Sequence, residues 1–211
     1  MKLKYCGLHH ADDVSAAAAG RSDYVGFVFA KSKRQVTRDS VAQWLASGQL
    51  GGKKAVALFV HEEPKVIAET VCGVAIDVIQ CHGKENPETI QQVKEETGLP
   101  VWKAIHHSSD ALSEMQRFDA VADGYVVDCN VADEWGGTGE SFDWAHVPRY
   151  IEEGRRQGVP IFIAGGITPE NIASLLAYDP DGIDVSSGIE KDGRKSLQRM
   201  RELESEMGMR A

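Results

Sequence analysis

Phe162-Ile163-Ala164-Gly165-Gly166-Ile167-Thr168-Pro169-Glu170-Asn171, followed about twenty residues on by Gly182-Ile183-Asp184-Val185-Ser186-Ser187-Gly188, is the passage from which the architecture follows. Each half is a short apolar run rich in strand-forming residues that stops at glycine or serine, and the first continues into Thr168-Pro169-Glu170, a cap residue followed by a proline suited to a first helical turn. Glycines let backbone N–H groups approach an anion, and the amino end of a helix adds partial positive charge. Two such turns at successive strand ends read as a phosphate cradle, built from Gly165, Gly166, Asp184, Ser186 and Ser187. Taken singly, either turn is an ordinary tight connection; the pairing is what points to phosphate.

Working outward, the same unit recurs. Strand-like runs at 2–6, 24–29, 55–60, 76–80, 100–105, 123–128, 160–164 and 182–186 alternate with amphipathic segments at 11–19, 38–47, 64–72, 87–97, 109–118, 143–156, 169–177 and 193–207. Strand ends fall about 26 residues apart, the size of a βα module. The pattern predicts a single (β/α)8 TIM barrel with eight parallel strands over residues 1–211, an open doubly wound sheet being the competing arrangement. Helix starts agree: Asn86-Pro87-Glu88 repeats the cap-then-proline order, and Ser141 precedes a helical run. The last residues, from Met200 on, read as a helix fraying into solvent.

Parallel strands present their carboxyl ends on one side, so groups at those ends share a pocket. Six of the eight runs close on, or lead into, a reactive or anion-binding group: Cys6, Arg34, His82, Asp128, Gly165 with Gly166, and Ser186 with Ser187. Cys6 is a nucleophile or general base once ionised, which requires nearby cations because an ordinary thiol titrates at about 8.5; an isolated cysteine is otherwise a small buried apolar residue. Asp128 ends the apolar run GYVVD and is a proton donor where its surroundings keep it protonated. Together they make an acid/base pair suited to proton transfer beside a carbonyl or Schiff base. The planar fork of Arg34 matches a carboxylate, with a solvated basic loop alongside Lys31 and Lys33 as the alternative. His82 is either a pocket wall or a structural histidine. The loop after Asp128, with Trp135 and Gly136-Gly137-Thr138-Gly139, is long enough to wrap a ligand.

Composition bounds the partners. A net charge of −9, from 32 acidic and 23 basic residues, leaves no basic field for nucleic acid or an anionic membrane, and 42% hydrophobic residues fill a large core. The amino terminus has no apolar core of signal-peptide length and no run reaches membrane-spanning length, so a cytoplasmic protein is expected. Cys6, Cys72, Cys81 and Cys129 lack CxxC spacing and read as free thiols. His9, His10, His106 and His107 have no metal-ligand spacing, so no metal and no cofactor is expected. The partner expected is a small phosphorylated molecule; monomer and homodimer are not distinguished.

The segments KYCGLH, DYVGFVFAKSKRQV, DVIQCHG, VVDCNVADEWGGTGESFDW, FIAGGITPENI and GIDVSSGIEKDGRKS resemble, in order and over the whole chain, those of the phosphoribosylanthranilate isomerases. The resemblance implies the barrel, a role in tryptophan biosynthesis, and an Amadori rearrangement of N-(5-phosphoribosyl)anthranilate to 1-(2-carboxyphenylamino)-1-deoxyribulose 5-phosphate. It implies Cys6 as general base, Asp128 as general acid, Arg34 on the anthranilate carboxylate, and the glycine and serine turns on the phosphate. Two positions depart from that pattern: His9 replaces a small hydroxyl or basic residue, and Cys81 stands where leucine is expected. Competing readings are a Schiff-base lyase using Lys103, a two-aspartate barrel isomerase, against which Cys6 argues, and a phosphosugar-binding barrel without catalysis.

Overall fold

The computed structural model describes residues 1–128 and 144–209. Cys129, Trp135, the Gly136-Gly137-Thr138-Gly139 run and the cap at Ser141 lie outside the described residues.

Eight parallel strands close into a barrel in sequence order. They are β1 (Lys2–Cys6), β2 (Tyr24–Val28), β3 (Lys54–Phe59), β4 (Val78–Cys81), β5 (Val101–His106), β6 (Gly124–Asp128), β7 (Ile161–Ala164) and β8 (Gly182–Val185). Around them run α1 (Ala11–Ala19), α2 (Arg38–Ala46), α3 (Pro64–Val71), α4 (Pro87–Thr97), α5 (Ala111–Arg117), α6 (Val147–Gln157), α7 (Ile172–Leu176) and α8 (Leu197–Glu206). The seam is β1 against β8, with Lys4 opposite Asp184.

Local chemistry accounts for the element limits. Asn86 caps α4, its side chain accepting from Thr89 N at 2.8 Å, and Gly98 ends that helix in the left-handed region. Val78, rather than residue 76, begins β4 because the Asp77 side chain is used elsewhere, accepting from Ala55 N at 2.7 Å. The device repeats: Asp23 accepts from Leu3 N and Asp123 from Val101 N, so the aspartate before each of β2, β4 and β6 satisfies an amide of the preceding strand.

Two differences from the sequence reading concern the last quarter. A two-stranded hairpin, β9 (Glu190–Lys191) with β10 (Arg194–Lys195), precedes α8, which therefore starts at Leu197 rather than 193. Nor do the described residues from Met200 to Met209 fray as expected: Leu203 and Glu204 are buried, Met207 and Met209 pack on the core, and Glu204 Oε1 accepts from Tyr5 Oη and Arg21 N, each at 2.6 Å.

Alternate strand residues point to opposite faces. In this chain the even-numbered ones face the barrel axis. On the floor Tyr24, Trp102 and Phe162 form an aromatic cluster, Trp102 and Phe162 stacked with ring centroids 4.7 Å apart and Tyr24 edge-on to Phe162. Gly124 and Gly182 leave room for them: a Cβ on Gly182 would lie 2.6 Å from the Phe162 ring. The odd-numbered set joins the larger apolar layer beneath the helices. Among the described residues no helix is long and apolar enough to cross a membrane.

Candidate active site

At the carboxyl ends of the strands a cavity of about 270 Å³ is lined by residues that include Cys6, Arg34, His82, Asp128, Gly165, Gly166, Asp184, Ser186 and Ser187. Cys6, Asp128, Arg34, His82 and the residues of the two turns, predicted in the sequence to share a site, thus open onto one pocket. Lys31 and Lys33 are exposed and do not line it, so Arg34 alone of that basic loop faces inward.

Cys6 is buried at the end of β1, and Gly26 on β2 makes space for it: a Cβ there would lie 2.8 Å from Cys6 Sγ and 3.2 Å from Lys4 Nζ. Lys4 is fully buried, donates to Asp184 Oδ2 at 2.7 Å, and its ammonium lies near the Cys6 thiol. Burial pushes the Cys6 thiol up, the Lys4 ammonium pulls it down, and the Asp184 charge adds to the rise; the thiol ends above its ordinary value. Lys4 is itself held above its ordinary value, since Asp184 and the thiol outweigh the burial that opposes its charge. The cation that a cysteine base requires is therefore present, one inward position below it. Asp184 Oδ1 is buried without a partner, a free acceptor beneath the pocket.

Across the mouth, His82 Nε2 lies 3.3 Å from Asp128 Oδ2, and Gln80 Nε2 lies 2.8 Å from His82 Nδ1. The amide donates to Nδ1, so Nε2 carries the proton and donates to Asp128 Oδ2. His82 is a pocket wall rather than a purely structural histidine.

Arg34 donates from Nε to Glu190 Oε1 at 2.6 Å and from Nη2 to Glu190 Oε2 at 2.9 Å, and Lys195 donates to Glu190 Oε1 at 2.8 Å. Burial pushes the Glu190 carboxyl up, but the two cations more than reverse this and hold it at about 2. Lys195 also donates to Ser186 O at 2.9 Å, which ties the hairpin to the serine turn. Both glycines of the other turn have positive φ, 95° at Gly165 and 64° at Gly166, a conformation that side chains resist. The two turns are packed together: a Cβ on Gly188 would lie 1.9 Å from Ile167 O.

Three sequence expectations change. Lys103 is not in the pocket: it is an odd position on β5, fully buried, donating to Gly83 O at 2.6 Å and Ala104 O at 2.8 Å, with Glu85 at 3.3 Å. An ammonium so enclosed on the outer side of the barrel, over the Phe118 ring, cannot meet a carbonyl substrate, which removes the lyase reading. Cys81 also faces outward, so it does not alter the pocket wall; burial pushes its thiol up to about 12. His9 is absent from the lining, its Nδ1 lying 3.2 Å from Gly7 O. Conversely, Lys4, Gln80, His106, Glu190 and Lys195 were given no site role by sequence reasoning, which named His106 only as lacking metal-ligand spacing. The first three share the even phase of Cys6, His82 and Asp128, a usable signal; the last two sit on strands too short to show any periodicity.

The closed parallel barrel and its carboxyl-end pocket place the chain among the (β/α)8-barrel enzymes. A family profile described as N-(5'phosphoribosyl)anthranilate (PRA) isomerase matches residues 3–206. The N-(5'-phosphoribosyl)anthranilate isomerase of Geobacillus thermodenitrificans is 56% identical over 204 residues, covering 97% of this chain and 92% of that protein. The chain belongs to the N-(5'-phosphoribosyl)anthranilate isomerase family. Among solved structures, the phosphoribosyl anthranilate isomerase of Thermotoga maritima is 27% identical with a TM-score of 0.84, covering 99% of each chain. Another, in complex with reduced 1-(o-carboxyphenylamino)-1-deoxyribulose 5-phosphate, is 26% identical with a TM-score of 0.79, again covering 99% of each chain.

Proposed function

We propose that the chain isomerises N-(5-phosphoribosyl)anthranilate to 1-(2-carboxyphenylamino)-1-deoxyribulose 5-phosphate in tryptophan biosynthesis, with Asp128 as acid and Cys6 as base. The observation that carries the residue assignment is that both line one cavity together with the two anion-binding turns. The family membership and the related structure holding a reduced product analogue support the substrate.

The substrate phosphate sits on the Gly165-Gly166 and Ser186-Ser187 turns, and its anthranilate carboxylate meets Arg34. Asp128 gives its proton to the ribose ring oxygen, the C1–O bond breaks, and the nitrogen lone pair forms the C=N bond of a Schiff base. The Cys6 thiolate, facing the Lys4 ammonium, removes the C2 proton; the electrons of that bond make the C1=C2 enamine and return the lone pair to nitrogen. The C2 hydroxyl then loses its proton and C1 gains one, giving the ketose, and exchange with solvent restores both groups. The unpartnered Asp184 Oδ1, on a residue that lines the same pocket, is an acceptor for a sugar hydroxyl.

Loss of substrate fluorescence reports turnover. Cys6→Ala and Asp128→Asn are each expected to lower kcat by about 10²- to 10⁴-fold, the usual contribution of a general acid or base, while a phosphate-bearing analogue still binds. Full activity in either variant removes that residue from the mechanism.

A further inference from the structure

Strands β4, β5 and β6 are neighbours, and two imidazoles and a carboxylate meet at their carboxyl ends. His106 is the register partner of Asp128, the His82 and His106 rings meet edge to face with centroids 5.5 Å apart, and one ligand atom from each of His82, His106 and Asp128 lies within 4.8 Å of the other two. All three side chains are half-buried, with their donor atoms close enough to face a common ion. Two imidazoles and one carboxylate on one side, with the remaining positions open to a pocket, is a donor set suited to a zinc-class divalent ion.

A second observation lies one inward position below. Gln80 Oε1 is a buried acceptor without a partner, while the Nε2 of the same amide donates to His82 Nδ1. In that arrangement the His82 Nε2 lone pair is not available, because this nitrogen carries the proton. Turning the Gln80 amide over would bring Oε1 to His82 Nδ1, move the imidazole proton there and free Nε2 toward Asp128 and His106. That is the outer carbonyl contact that metal-binding histidines ordinarily use, and it moves the amide Nε2 to the position where Oε1 now lacks a partner.

We infer that His82, His106 and Asp128 form a binding site for a zinc-class divalent cation, with Gln80 orienting His82, and that filling it shuts the enzyme off. A carboxylate bound to the ion cannot carry the proton the ring oxygen needs, so metal and substrate exclude one another. Binding follows from the geometry alone; the inhibitory consequence rests on the reading of Asp128 as the acid.

Cobalt titrated into the purified full chain gives a visible d–d band whose growth measures occupancy, and zinc should displace it. One cobalt per chain is expected, with affinity at least tenfold weaker in His106→Ala and His106→Asn, and about 10- to 100-fold weaker in Gln80→Leu, the usual effect of losing an outer contact. Cys6→Ala should retain the band, since the thiol is not a ligand. Circular dichroism confirms that each variant is folded. An unchanged affinity in both His106 variants, or loss of the band in Cys6→Ala, overturns the site. Zinc is expected to raise KM for the sugar substrate, with chelation restoring the rate. Full turnover at full occupancy overturns the inhibitory half, and with it the acid role of Asp128, while the metal site stands.

Discussion

The Cys6 thiol sits where burial and charge oppose one another, and burial prevails in the free chain. Alkylation should therefore be slower at Cys6 than at the exposed Cys72 at mildly alkaline pH, rising only as pH passes the ordinary thiol range; peptide mapping reads both sites in one sample. Lys4→Met should shift that rise to still higher pH, and an unshifted profile would mean that the ammonium does not act on the thiol. Glu190 makes an opposite prediction. Its folded pKa of about 2 lies below the ordinary carboxyl value, so the unfolded chain takes up a proton first as pH falls. The resulting stability is complete above the ordinary carboxyl range and disappears as pH drops toward 2, and Glu190→Gln should flatten that part of the unfolding profile. Cys6, Asp128 and the two turns were legible in the sequence because they end apolar runs. Lys4 and Gln80 were not, since a charged or amide residue inside a run reads as a polar interruption until the inward phase is fixed by its neighbours.

Among the elements, the turns after β7 and β8 behave as one body because Gly188 lets their backbones touch. Gly188→Ala has no flexible side chain to displace, only the Ile167 carbonyl, so one turn must move. The expected result is a KM for the phosphorylated substrate raised about tenfold or more, equivalent to about 1.4 kcal/mol of binding, with a smaller effect on kcat; steady-state kinetics separate the two. Element limits were less legible than element order. The expected start of β4 at residue 76 fails because Asp77 is committed to an amide of β3, a tertiary contact that no local pattern shows. The hairpin of β9 and β10 was absorbed into the predicted last helix, since two-residue strands leave no alternation to read.

At the scale of the molecule, the barrel divides into an aromatic floor and a polar mouth, and the two should fail separately. Trp102→Ala removes the central ring of the floor and is expected to cost about 3–5 kcal/mol in urea unfolding with little change in KM. Gly182→Ala overfills the same layer, and a loss of about 1–3 kcal/mol is expected. If either change abolished phosphate binding in folded protein, the separation would be wrong. The count of eight strands and the groups at their ends were legible from the spacing of the apolar runs, whereas closure, with an open doubly wound sheet as its competitor, required the fold. The closure also joins Lys4 to Asp184, and the Ser186 hydroxyl to the Cys6 carbonyl, at the one place where strands meet without a connecting helix. A circularly permuted polypeptide, cut after another strand and spliced here, would make Cys6 and the Ser186-Ser187 turn near neighbours in synthesis, changing the order in which the pocket is assembled without relocating any atom of it.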